Sequence, residues 1–101
     1  MAARPLNELE ISEALSGLPG WAAADNRLVR SYTLGGHLAA VALLVHIATV
    51  QEELNHHADL TLGYNRLGVS VTTHSAGNRI TDFDTRLAQR IEELAAAHGA
   101  S

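Results

Sequence analysis

The sequence predicts an α+β fold: a four-stranded antiparallel sheet with helices packed on one face, in the order α-β-β-α-β-β-α. Helical patterns lie at residues 8–16 and 37–55 and again from Thr81 onward. Two stretches between them carry paired strand patterns, each broken by a short polar turn. Two hairpins separated by a helix favour an antiparallel sheet with its helices segregated to one side. A length of 101 residues fits one domain, 1–101.

Each element follows from local signals. In Leu6-Asn7-Glu8-Leu9-Glu10-Ile11, Asn7 is the N-cap, Glu10 its capping-box partner, and Leu6 and Ile11 occupy the staple positions. Leu15 continues the apolar side and Gly17 is the stop. Pro19-Gly20 is a turn. Trp21–Ala24 and Arg27–Leu34 read as strands joined by Asp25-Asn26, two residues that tolerate the positive φ of a tight hairpin. Gly35-Gly36 ends the second strand.

His37–Asn55 is the main helix. Leu38, Val41, Leu44 or Val45, Ala48 and Val50 cover one broad side, while Leu43, Ile47 and the alanines cover much of the rest. A helix apolar nearly all round is buried on both sides. A small sheet covers only one of them, so a second subunit is expected on the other. Asp59–Tyr64 is the third strand, with Asn65-Arg66 as its turn. Leu67, Val69, Val71 and Thr73 then alternate with Gly68, Ser70 and Thr72, a period of two. His74 falls either on the opposite face from Val69 and Val71 or just past the strand end. Ser75–Asn78 is a loop. Thr81 and Asp84 cap the last helix, whose face is Phe83, Leu87, Ile91 and Leu94. Ala95–Ser101 is expected to fray.

Composition narrows the function. Eleven acidic residues against seven basic ones give a net charge of −4, and no basic cluster is present, which argues against nucleic acid or an anionic membrane as partner. The absence of cysteine removes disulfides, thiolate catalysis and cysteine zinc sites. The longest apolar run, 38–50, is shorter than the roughly 20 residues of a membrane span. Residues 1–10 lack an apolar signal core, so a cytoplasmic protein is expected.

The chemistry concentrates on histidine. His56 and His57 end the main helix, and His74 follows the last strand pattern. Imidazole exchanges protons near neutrality, so three rings at element boundaries point to a proton-transfer site. Three histidines and an acid could bind zinc. However, adjacent residues at a helix end point their rings apart, and no His-Glu-x-x-His pattern exists, so no metal is expected.

Several segments together carry a family resemblance. They are Gly20-Trp21, Arg30-Ser31-Tyr32-Thr33-Leu34, Glu52-Glu53-Leu54-Asn55-His56-His57, Thr72-Thr73-His74, Thr81 through Asp84, and Leu87-Ala88. On this element order they resemble the pterin-4a-carbinolamine dehydratase family. The resemblance implies a four-stranded α+β fold and a homodimer or homotetramer assembled through helix 37–55 and sheet edges. It implies removal of water from a 4a-hydroxy-tetrahydropterin to give the quinonoid dihydropterin, with no metal and no bound cofactor. Ala58 and Leu60 stand where the family usually has Pro and Trp, and His37 where it favours an aromatic. Some proteins resembling this family are non-catalytic dimerisation cofactors or assembly chaperones, which is the alternative reading.

Eliminating water from a carbinolamine requires a proton delivered to the leaving hydroxyl and another removed from the neighbouring ring nitrogen. His56 and His74 are the expected acid/base pair, in either order, and the resemblance gives His57 the task of holding substrate. Asn55, Thr72, Thr73 and Ser75 flank the rings and would offer polar groups to the pterin. Glu52, one helical turn before His56, is expected to orient it. Asp84 is expected to do the same for His74.

Overall fold

The computed structural model describes residues 4–101, ordered as α1 (Glu8–Ser16), β1 (Ala22–Ala24), β2 (Arg27–Thr33), α2 (His37–Leu54), β3 (Asp59–Leu62), β4 (Arg66–Val71), a 3₁₀ turn (His74–Ala76) and α3 (Asp82–Ala97). This is the α-β-β-α-β-β-α order read from the sequence. The α1 cap forms as expected. Asn7 Oδ1 accepts from the Glu10 N–H and Glu10 Oε1 from the Asn7 N–H, both at 2.9 Å. The Leu6 N–H donates to the Ile80 carbonyl at 2.8 Å, which anchors the start of α1 beside the start of α3.

The four strands pair antiparallel in the order β1-β2-β4-β3. Asp25 and Asn26 adopt φ values of 51° and 63° and close the first hairpin as a two-residue loop. The second hairpin departs from expectation. Its turn is Gly63–Asn65, and Arg66 already belongs to β4, opposite Thr33 of β2. The Gly63 N–H closes the loop onto the Arg66 carbonyl at 2.8 Å.

Strand alternation sends Leu28 and Tyr32 of β2, and Leu67, Val69 and Val71 of β4, into the core. Ala40, Leu43, Ile47 and Val50 of α2 and Leu87, Ala88, Ile91 and Leu94 of α3 complete it. Each large aliphatic side chain so buried contributes about 1.5–3 kcal/mol. Trp21 Nε1 and the Tyr32 hydroxyl both donate to Glu92 Oε1, at 3.0 and 2.6 Å, tying the first hairpin to α3. Burial, together with Glu92, pushes the Tyr32 phenol well above its ordinary value. Gly20, at φ 82°, lies against Arg30, where a Cβ would meet the guanidinium at 2.5 Å.

By length and composition α2 could cross a membrane, but its sheet side is packed in this core. The sequence pattern placed apolar residues all round this helix, and the structure divides them. Ile47 is fully buried in the protomer, whereas Leu38 is 81% and Val45 55% exposed. The C-terminus also departs from expectation. Instead of fraying at Ala95, α3 runs to Ala97 with Ala95 buried. Beyond it, Ser101 exchanges two 3.0 Å backbone hydrogen bonds with Thr33.

Candidate active site

The end of α2 determines where the histidine pair points. Asn55 takes the left-handed conformation, φ 51° and ψ 44°. The Asn55 N–H bonds the Glu52 carbonyl at 3.3 Å and the His56 N–H the Gln51 carbonyl at 3.1 Å. These are the two bonds of a Schellman stop, which reverses the chain after the last helical turn. The helical spacing that would bring Glu52 beside His56 therefore ends one residue too early. His56 turns to α3 instead.

There His56 Nε2 lies 2.6 Å from Asp84 Oδ1. A ring nitrogen facing a carboxylate oxygen carries its proton, so Nε2–H donates and Nδ1 takes no part in this bond. Asp84 is fully buried, yet its oxygens are saturated. Oδ2 accepts from the Thr73 hydroxyl at 2.7 Å and from the Thr81 N–H at 2.8 Å. The Thr81 hydroxyl then donates to Thr73 Oγ1 at 2.7 Å and accepts from the Phe83 N–H at 3.2 Å. The α3 cap thus also fixes the Asp84–His56 pair. Such charge-assisted bonds are about twice as strong as neutral ones, which offsets the cost of burying the carboxylate.

The other two rings are held by acceptors too. His57 Nε2–H donates to Glu52 Oε2 at 2.6 Å, in an exposed pair. His74 opens the 3₁₀ turn just past β4, so strand parity does not apply to it. Gly77 and Asn78 follow with φ of 72° and 59°, and they fold the loop back until Asn78 Oδ1 accepts from His74 Nδ1–H at 2.7 Å. The expected carboxylate partners are therefore reassigned. Glu52 orients His57 rather than His56, and Asp84 orients His56 rather than His74.

Asn55, His56, His57, Thr72, Thr73, His74, Ser75 and Phe83 line one cleft of about 290 Å³, close to the small end of ligand-site volumes. All three rings singled out in the sequence meet there. The two threonine hydroxyls do not serve it as expected. Thr73 donates to Asp84, and Thr72 donates to the Asn26 carbonyl at 2.9 Å. Asn55 and Ser75 are exposed at the cleft.

Sequence reasoning missed Phe83, whose ring lies 5.7 Å from that of His56 and supplies an apolar wall. Its place at the first position of an amphipathic face concealed it among core residues. Asn78, too, shows in the sequence only as part of a loop. Among the described residues, no group of three or more histidine or acidic side chains is arranged to hold a metal. The remaining histidines lie elsewhere. His37 Nδ1–H donates to the Tyr64 carbonyl at 2.7 Å, and His46 and His98 share a 2.9 Å bond between helices.

Residues 4–94 match the family model for pterin 4 alpha carbinolamine dehydratase, and the chain belongs to that family. It is 56% identical over 100 residues to a Streptomyces coelicolor protein named "Putative pterin-4-alpha-carbinolamine dehydratase", covering 99% of both chains. A Chloroflexus aurantiacus protein of the same name is 39% identical, covering 88% of this chain and 95% of its own. Among solved structures, the fold matches a Brucella melitensis transcriptional coactivator/pterin dehydratase with a TM-score of 0.86 and 32% identity, covering 91% of this chain and 99% of that one. It also matches a pterin dehydratase-like protein described as a RuBisCO assembly factor of the alpha-carboxysome. That match has a TM-score of 0.61 at 18% identity, covers 74% of this chain and 86% of that one, and is a likeness of fold alone.

Proposed function

We propose that the chain dehydrates a 4a-hydroxy-tetrahydropterin by imidazole acid/base catalysis. One observation carries the reading. Three rings line one cleft, each with one nitrogen engaged by a fixed acceptor, which leaves His56 Nδ1, His57 Nδ1 and His74 Nε2 to face other partners. His56 and His74 are the proton-transfer pair. One protonates the departing hydroxyl, so that the C–O bond breaks and water leaves. The other takes the proton from the adjacent ring nitrogen as the C=N bond of the quinonoid dihydropterin forms. A positioned acid or base is worth about 10²–10⁴ in rate. His57, more exposed, holds substrate at the rim, and Phe83 offers its face to the flat heterocycle. Asn55 and Ser75 supply polar contacts. Stopped-flow measurement of carbinolamine loss, accelerated by the wild-type protein and not by His56→Ala, tests the assignment.

The working form is a homodimer or homotetramer built through α2 and the sheet edges. Leu38, Ala42, Val45 and Thr49 recur at helical spacing along its exposed side. The same stripe supports a second reading, a non-catalytic assembly module, which the replacements Ala58 and Leu60 also favour. Capture of one stoichiometric partner by a protein without measurable dehydration would select it.

A further inference from the structure

Gln51 stands out among the buried residues of α2 as the only polar one, 5% exposed between Val50 and the exposed Glu52. Its backbone carbonyl accepts from the His56 N–H at 3.1 Å. Its side-chain Oε1 accepts from the Ala58 N–H at 2.9 Å. One residue therefore grips the chain on both sides of the pair, with His56 at the first anchor and only His57 before the second. Residues 55–58 join the last turn of α2 to β3. In a connection that short, two fixed ends leave the rings little backbone freedom.

We propose that Gln51 is a positioning residue whose side chain tethers Ala58 and so sets the direction of His56 and His57 for the dehydration proposed above. The chemistry at position 58 makes the two residues a matched pair. Ala58 has an N–H that needs an acceptor in a partly buried setting, and Gln51 supplies one. A proline there would have no N–H and would fix its own φ, which would make the tether unnecessary. The Gln51 amide thus does with a hydrogen bond what a ring would do covalently. Displacing a reacting group by about 1 Å can cost on the order of 10²-fold in rate, so a loosened tether reaches the chemistry without touching substrate.

Gln51→Met keeps the length and apolar packing of the side chain and removes its strong acceptor. Expected results are Ala58 amide exchange at least ~10-fold faster than in wild type, with the Val69 amide in the sheet centre unchanged. The His56 and His57 ring signals should broaden, and kcat should fall ~10-fold or more. Adding Ala58→Pro to Gln51→Met should sharpen the ring signals and recover most of the rate. Equal acceleration at Ala58 and Val69 would make Gln51 merely a core residue, and unchanged ring signals would remove its positioning role. Either result overturns the proposal. The exchange and ring measurements need no substrate. A wild type inactive toward the carbinolamine would thus refute the dehydratase reading, while these two measurements would still decide the tether.

Discussion

The Asp84 carboxylate and the His56 imidazole, 28 residues apart in sequence, meet through a 2.6 Å hydrogen bond. The bond joins the first turn of α3 to the chain just past α2, and the cleft lies beside it. Asp84→Asn would present the ring with an amide in place of an anion and disturb both the tautomer and the bonds from Thr73 and Thr81. A loss of about 10²-fold in kcat is expected. Nitrogen NMR of His56 should show the proton no longer confined to Nε2, and an unchanged tautomer with unchanged rate would contradict the role given to Asp84.

Thr73 tests the support behind that pair. Thr73→Val deletes a buried donor to Asp84 Oδ2 and leaves the Thr81 hydroxyl without its acceptor. The expected cost is about 1–3 kcal/mol in a denaturant melt. By contrast, Ser75→Ala, at an exposed position, should leave stability within about 0.5 kcal/mol of wild type and raise KM instead.

The two sides of α2 should respond differently to charge. Val45→Glu places a carboxylate on the exposed stripe and should yield a folded monomer by light scattering. Ile47→Glu places it in the protomer core and should cost about 4 kcal/mol or more, abolishing the folded state. A wild-type monomer would contradict the assembly drawn from this helix.

Glu10 gives a pH test away from the cleft. Its carboxylate accepts from the Arg4 guanidinium and from the Asn7 N–H, which hold its pKa down to about 2. A carboxyl depressed on folding contributes stability above its unfolded value, near 4.5, and loses it as pH falls toward 2. Glu10→Gln should remove that acid-side dependence for α1, read from side-chain carbon chemical shifts and amide exchange across the first helix.

Local chemistry made most of the fold legible. The caps at Asn7 and Thr81 and the hairpin at Asp25-Asn26 depend on residues within three positions of one another, and all three formed where they were expected. Apart from Phe83, the residues that line the cleft were legible in the sequence, but their hydrogen-bond partners were not. Glu52 looked like the companion of His56 because helical spacing was carried one residue past the Asn55 reversal. Asp84 looked like the companion of His74 because both flank one loop, whereas that loop closes on itself through Asn78. The Thr72 and Thr73 hydroxyls were read as free because their acceptors, on Asn26 and Asp84, lie on distant segments. The docking of Ser101 on Thr33 was hidden for the same reason. The burial of Gln51 is not visible in the sequence either, since polarity alone does not show which side of a helix its last turn presents.

In the proposed dehydration, His56 and His74 move the two protons within one cleft. Single-turnover loss of the 4a-carbinolamine, followed with wild type, His56→Ala and His74→Ala at matched folding, tests it most directly. Each variant should be slower by about 10²-fold or more. Rates for both variants equal to that of the wild type would contradict it.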